Sequence, residues 1–528
     1  VRRRPGFAVR LAAGCLAALA AWALVGCSGP PVAVTIASGS ENRTLEPIVQ
    51  DFCRARGVTC RFDYQGSLDI GLALAAAAPP AFDIVWPANA IWIDLFDRKK
   101  QVRDLTPIVR SPVILGLRRS KAEALGWIGR PVSTGDIVEA VRAKRLTYLA
   151  SSATQSNSGA GAYIAMLSAA LGHPDAITRA DLDRPGVQDT VRTLLAATVR
   201  TAGSSAWLAD LYLKGVEGGT AYDGMWNYEA VLAETNAELA RRGAEPLYAI
   251  YPSDGVAAAN SPLGYVERGQ GEAARAFFAA LQSHLLSPEV QARLVALGRR
   301  PALGEAKGGA DPSWNYDPGR LVPLIRMPEP EVVRAALELY QGALRRPSLT
   351  AYCLDFSGSM GGAGETALKA AMRFILSHDE AARVLVQNGR DDRIVLLPFD
   401  GRVRGVTRGS GAPEDAAALV AAVDANTAGG GTNIYACAEA ALREIRATPE
   451  RERYLPAVVL MTDGRSENYA RQFLDAWRAE GGDVPVFGVT FGDADKGQLD
   501  ALAEATRARV FDGRTSLTEA FRAVRGYN

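Results

Sequence analysis

The run Leu349-Thr350-Ala351-Tyr352-Cys353-Leu354 is β-prone and mostly apolar. It feeds directly into Asp355-Phe356-Ser357-Gly358-Ser359, and a helix-forming stretch from Glu365 to Leu376 follows. A strand that ends in a carboxylate, two hydroxyls and a glycine before a helix is the βα unit of a parallel sheet. In such a sheet ligands sit in the crevice beyond the strands' carboxyl ends. A carboxylate and two hydroxyls there offer hard oxygen donors suited to Mg²⁺, which keeps several waters and takes few protein ligands. The competing reading is that Ser and Asp at strand ends merely cap the next helix. Two further stretches favour the ligand reading. Gly429-Gly430-Gly431-Thr432-Asn433 presents a threonine hydroxyl before a helix, and Val458-Val459-Leu460-Met461-Thr462-Asp463-Gly464 is a buried strand ending in an aspartate.

Asp355-x-Ser357-x-Ser359, followed in order by the Thr432 loop and the Asp463 strand end, resembles the von Willebrand factor A family. In that family such side chains form a metal-ion-dependent adhesion site. The resemblance implies that Asp355, Ser357, Ser359, Thr432 and Asp463 hold Mg²⁺ or another divalent cation such as Mn²⁺ or Ca²⁺. It also implies an open coordination position that takes a carboxylate from a protein partner.

At 528 residues the chain is too long for one core and predicts two to four compact units. Lys+Arg number 59 against Asp+Glu 58, with no internal polybasic block, so no nucleic-acid partner is expected. Three widely spaced histidines, His173, His284 and His378, argue against a His-rich zinc site.

Arg2-Arg3-Arg4 is a positive n-region, and Phe7 to Val25 is apolar apart from Arg10. The run ends Leu24-Val25-Gly26-Cys27, followed by Ser28-Gly29-Pro30-Pro31. This resembles a bacterial lipobox, which implies a signal peptide over residues 1–26, acylation of Cys27 and a tether over 27–31. A plain secretory signal or an uncleaved anchor is the alternative. Two or three acyl chains hold a protein stably at a membrane, so the expected location is lipid-anchored on the extracytoplasmic face. An oxidising space then bears on the remaining cysteines. Cys53 and Cys60 read either as a local disulfide or as two buried thiols, and Cys353 and Cys437 as inert core cysteines.

From residue 32, strands alternate with helices: Val32 to Ala37, a helix from Thr44 to Arg56, Val58 to Tyr64, an Ala/Leu-rich helix, then Ala81 to Trp86. This alternation predicts a parallel sheet covered on both faces. The first two strands end in small polar loops, Ser38-Gly39-Ser40 and Gln65-Gly66-Ser67. Backbone N–H groups at such helix starts suit an anionic or polar ligand. Further on, Leu146 to Ala150 feeds Ser156-Asn157-Ser158-Gly159 and a helix, and 219–229 reads as an aromatic-rich turn.

The QGS turn at Gln65, the SNSG helix start at Ser156 and the stretch Ala273 to Gln291 together resemble extracellular solute-binding proteins of the type 2 periplasmic class. The likeness covers residues 32–308. It implies two lobes that close on a cleft by hinge motion, lined by Ser38, Ser40, Gly66, Ser67, Ser156, Asn157, Ser158 and Tyr222. For each of these, helix capping is the alternative. The hydroxyls and helix starts suit an oxyanion or small polar solute, without naming it, or the cleft serves as a scaffold with no solute.

Residues 309–346 read as an exposed connector (309–318) and a bridging amphipathic helix (330–344), with the second module over 347–528. The expected fold is α/β: a two-lobed periplasmic-binding-protein-like domain followed by a doubly wound, Rossmann-like von Willebrand factor A domain. Gly401 to Val406 reads as a possible edge strand, and the acidic pair Asp493 and Asp495 as a solvated turn rather than a calcium site. No Gly-x-Ser-x-Gly, P-loop or His-Glu-x-x-His occurs, and no nucleophile–base pair is in view. The expectation is therefore a binding protein, not an enzyme: a membrane-anchored receptor, or the solute-binding component of an ABC transporter with an accessory von Willebrand domain.

Overall fold

The structure is a computed structural model, and it describes residues 33–528 except 221, 307, 467–469, 480, 481, 493, 495 and 528. Cys27, the signal-like segment, Asp493 and Asp495 lie outside the described residues.

The chain first lays down β1 (Ala33–Gly39), β2 (Thr59–Gln65), β3 (Ile84–Trp86) and β4 (Val102–Pro107). It then crosses into a second sheet with β5 (Val109–Arg118), β6 (Tyr148–Ser151), β7 (Thr198–Ala202), β8 (Gly224–Tyr228), β9 (Leu247–Ile250) and β10 (Ala258–Ala259). It returns to the first sheet with β11 (Pro262–Val266), and β12 (Arg300–Pro301) pairs with β5. The first sheet has the order β2-β1-β3-β11-β4, with β11 antiparallel to both neighbours. The second runs β10-β5-β8-β6-β7.

Two strand pieces therefore cross between the lobes, and Ile108 N donates to Ser261 O at 3.2 Å where they pass. Such a paired crossing is the place where a two-lobed molecule bends. Two helices open at the lobe rims and matter below: α1 (Ser67–Ala75) after β2, and α2 (Asn157–Ala170) after β6. A third, α3 (Ser205–Glu217), follows β7.

The second module is a six-stranded sheet formed by β13 (Ser348–Asp355), β14 (Arg393–Phe399), β15 (Thr407–Ser410), β16 (Leu455–Thr462), β17 (Val486–Thr490) and β18 (Val510–Asp512). Its order is β15-β14-β13-β16-β17-β18, parallel except for β15. The central strand β13 is buried along its whole length, which is why it reads as a continuous apolar run. Leu349, Ala351 and Cys353 face one helical layer that includes α5 (Ile434–Ala447). Tyr352 and Leu354 face the other, with α4 (Ala363–Leu376) and α6 (Leu517–Val524).

Several expectations change. Residues 224–228 are not part of a turn: Gly224 to Tyr228 is a fully buried strand between β5 and β6, and a run this short carries too little period to distinguish the two. The edge strand lies at Thr407–Ser410 rather than 401–406. The connector is not wholly exposed, because Trp314 and Tyr316 stack at 4.4 Å and are buried. The helix from Pro330 ends at Leu339 and continues as a π turn through Leu344. Cys53 and Cys60 form a disulfide.

Cys353 and Cys437 are also disulfide-bonded, not inert thiols. Cys353 lies on the β13 face that α5 covers, Cys437 is buried on α5, and their Cα atoms are 5.9 Å apart, within bridging range.

Candidate functional site

At the carboxyl end of β13, Asp355 is fully buried and Ser357 is 1 % exposed. Ser357 N donates to Asp355 Oδ1 at 2.8 Å, and Thr462 Oγ1 donates to Asp355 Oδ2 at 2.5 Å. These bonds fix the carboxylate against β16. The Ser357 and Ser359 hydroxyls lie 3.2 Å apart, and Ser359 Oγ donates to Asp463 Oδ1 at 2.7 Å. The glycine loop is tied in by its backbone: Gly429 N donates to Phe356 O at 2.8 Å, and Gly358 N to Gly430 O at 3.0 Å.

Thr432 reaches the same place. A Cβ on Gly464 would lie 2.9 Å from Thr432 Oγ1 and 3.5 Å from Ser359 Oγ, so only glycine leaves room for that hydroxyl. All five residues singled out in the sequence thus meet at one rim. Asp355 and Ser357 form its buried floor, and Ser359 its exposed lip.

Burial, assisted by the nearby Asp463 charge, pushes the Asp355 carboxyl up against the pull of its hydrogen bonds. Two carboxylates and three hydroxyls that converge in this way form an all-oxygen donor set. Such donors are of the kind hard cations prefer; among the described residues there is no group of three or more His, Cys, Asp or Glu that could hold a metal. One residue of this site was not anticipated. Arg404 donates to Phe356 O at 3.0 Å and Gly429 O at 2.8 Å while paired to Asp400, and so joins the two loops. No motif marks it, since its partners are backbone carbonyls.

The cleft between the first two lobes is shut. Ser40 Oγ lies 3.4 Å from Ser205 Oγ at the start of α3. A Cβ on Gly66 would meet Gln155 O at 2.2 Å, so the lobes touch backbone to backbone there. Asn157 accepts from Trp92 Nε1 of the opposite lobe at 2.8 Å and donates to Tyr228 OH at 2.9 Å. Ser40, Gly66 and Asn157 therefore lie across the cleft. Ser38, Ser67, Ser156 and Ser158 are spent within their own lobes, on Gly39 O and Asn42, on Ala88 N, and on one another.

Tyr222 is not at the cleft. It packs over Gly215 before the start of β8, and β8 lies parallel to β6, which places Tyr228 at the cleft end instead. The aromatic cluster was visible in the sequence, but the strand direction that decides which tyrosine faces the cleft was not. Glu41 was also missed. Its Oε2 accepts from Ser205 Oγ at 3.4 Å, Oε1 is buried without a partner, and burial pushes its carboxyl up to about 7.

The second module closes over this rim. Gln155 Nε2 donates to Arg522 O and Ala523 O of α6 at 2.9 and 3.2 Å, and Arg522 pairs with Asp69 at 2.5 Å. Tyr527 packs on Gly203 and edge-on to Trp207. One element of the second module thus grips both lobes, beside a cavity of about 960 Å³ lined by Ser40, Tyr64, Asp69, Arg509 and Glu519 among others.

Comparison with known proteins gives two family matches: Bacterial extracellular solute-binding protein over residues 34–300, and von Willebrand factor type A domain over residues 351–522. No curated protein matches the chain. Among solved structures, the von Willebrand factor type A structure from Catenulispora acidiphila is 20% identical, with TM-score 0.29, over 35% of this chain and 43% of that one. The chain therefore spans less than half of that structure's length. The sulfate-binding protein SubI from Mycobacterium tuberculosis H37Rv is 17% identical, with TM-score 0.37, over 51% of this chain and 87% of that one. The periplasmic binding protein AfuA from Actinobacillus pleuropneumoniae is 13% identical, with TM-score 0.43, over 58% and 97%. Since the first family match spans half of the chain, the protein belongs to the bacterial extracellular solute-binding proteins, and it carries a von Willebrand factor type A domain behind its solute-binding domain.

Proposed function

We propose that the protein is a non-enzymatic extracytoplasmic receptor, anchored through acylated Cys27, that docks a protein partner through a divalent metal ion. Asp355, Ser357, Ser359, Thr432 and Asp463 would hold Mg²⁺, with Mn²⁺ or Ca²⁺ as substitutes. The observation that carries the reading is the meeting of these five oxygen-bearing side chains, from three separate stretches, at one solvent-facing rim. A hard cation with few charged protein ligands stays electron-poor and accepts a carboxylate from an acidic partner segment. The two disulfides suit an oxidising compartment. Among the described residues no helix is long and apolar enough to cross a membrane.

The test is capture of acidic partner proteins from envelope extract by the full chain in Mg²⁺ and in EDTA. Capture that depends on metal and is lost in Asp355→Ala supports the reading; capture unchanged by either rejects it.

A second reading is favoured by the two-lobed cleft with its double-stranded crossing: delivery of a small polar solute to an ABC permease. A solute that binds only the native state raises the unfolding temperature. A screen of oxyanions, sugars and amino acids that gives no shift counts against it.

A further inference from the structure

The junction of the two modules holds a polar chamber that neither the metal centre nor the cleft uses. It adjoins the face of β13 turned away from α5, where the alternate residues Ser348, Thr350 and Tyr352 are all buried and Ser348 N donates to Asp392. The Ser348 and Thr350 hydroxyls have no hydrogen-bond partner, and the Tyr352 hydroxyl is turned to Arg525. Beside this face lie Arg345 and Arg525, both paired with Asp392. The Arg525 and Asp392 side chains are 3 % and 1 % exposed.

Asp392 cannot satisfy both guanidiniums. It also accepts from Ser348 N at 2.7 Å and from Gly389 N at 2.9 Å, and Arg525 reaches it only at 3.5 Å. Tyr352 faces the Arg525 guanidinium, yet Arg345 Nε, Arg525 Nε and Arg525 Nη1 remain buried donors without a well-aligned acceptor. Arg346 adds a third positive charge, and its guanidinium bonds go to the backbone carbonyls of Thr198, Glu452 and Arg453.

These three arginines line a cavity of about 20 Å³ together with Ser152 and Thr198 of the solute-binding domain and Gln341 of the connecting turn. Among the described residues no acidic side chain lines it. Buried polar atoms left unpaired in such numbers call for a missing partner, a water or an ion. Two guanidiniums, Arg345 and Arg525, against the one carboxylate of Asp392 decide which. Water would accept hydrogen bonds but leave the excess positive charge buried, and burying unpaired charge is the costlier defect.

We infer that this chamber binds a small inorganic anion of halide size, held by Arg345 and Arg525, which joins the two modules. A cavity of about 20 Å³ has room for one small particle, which favours chloride or bromide over the larger sulfate or phosphate. The anion completes the donors that Asp392 leaves unmet.

The test uses the full chain in two measurements. Crystals grown in gluconate and soaked in bromide are examined by anomalous scattering. Thermal unfolding is followed in chloride, bromide and sulfate against gluconate at constant ionic strength, for the native protein and for Arg525→Gln. The expected result is a bromide peak within hydrogen-bond reach of Arg345 Nε and Arg525 Nη1. Chloride and bromide, but not sulfate, then raise the unfolding temperature, and Arg525→Gln moves the halide midpoint about tenfold higher. A chamber that holds water only, or a halide response equal in the two proteins, overturns the inference. If Arg525→Gln fails to fold, the bromide peak in the native protein decides alone.

Discussion

At the scale of single residues, Gly464 and Glu41 carry the sharpest consequences. Gly464→Ala places a methyl 2.9 Å from Thr432 Oγ1 without touching a carboxylate. Displacing one hydroxyl of the donor set should weaken Mn²⁺ binding about tenfold while the fold persists; calorimetry on the variant, with circular dichroism as the fold control, measures both. Glu41 faces Ser205, Arg299, Glu234 and Tyr228, and burial lifts its carboxyl from the usual 4.5 to about 7. With the folded value above the unfolded one, its contribution is whole below about 4.5 and is lost as pH rises through about 7. Urea stability should therefore fall between pH 5 and pH 8, and fall less in Glu41→Gln. Equal slopes in the two proteins would assign the pH dependence elsewhere.

At the scale of elements, the Cys353–Cys437 bridge ties the central strand β13 to α5 across 84 residues of chain. Replacing both cysteines by alanine should cost about 2–4 kcal/mol in urea unfolding, mainly by freeing the denatured chain. The bridge also shows where sequence reading stops. The strand and the helix were each legible from composition and period, but which face of β13 meets which face of α5 depends on sheet order, and that is a long-range property. The same limit governs the tyrosines: an aromatic run around 222–228 was evident, yet only the parallel pairing of β8 with β6 assigns Tyr228 to the cleft and Tyr222 away from it. By contrast, Asp355, Ser357, Ser359, Thr432 and Asp463 were readable because they lie at or near strand ends or before a helix, in an order that resembles the von Willebrand factor A family. Arg404 and Gln155 were not, since both act through backbone carbonyls and leave no signature in residue type.

At the scale of the whole molecule, α6 joins Asp69 of one lobe and Gln155 of the other, so the second module bridges the lobes of the shut cleft. Docking and closure are then linked, and breaking one weakens the other. Arg522→Glu, which sets two like charges together, should cost about 1–3 kcal/mol of this docking. It should widen the distance between spin labels placed on the two lobes. Adding Asp69→Arg restores opposite charges and should return the shorter distance; a double variant as open as the single one would show that the ion pair is not the latch. The account's central claim is that five side chains far apart in the chain form one cation site with a vacant position for a partner's carboxylate. Calorimetric titration of Mg²⁺ and Mn²⁺ into the metal-stripped full chain, beside Asp355→Ala, tests it most directly. Saturable binding at a single site, abolished in the variant, is the predicted result, and absent heat or equal binding in both proteins contradicts it.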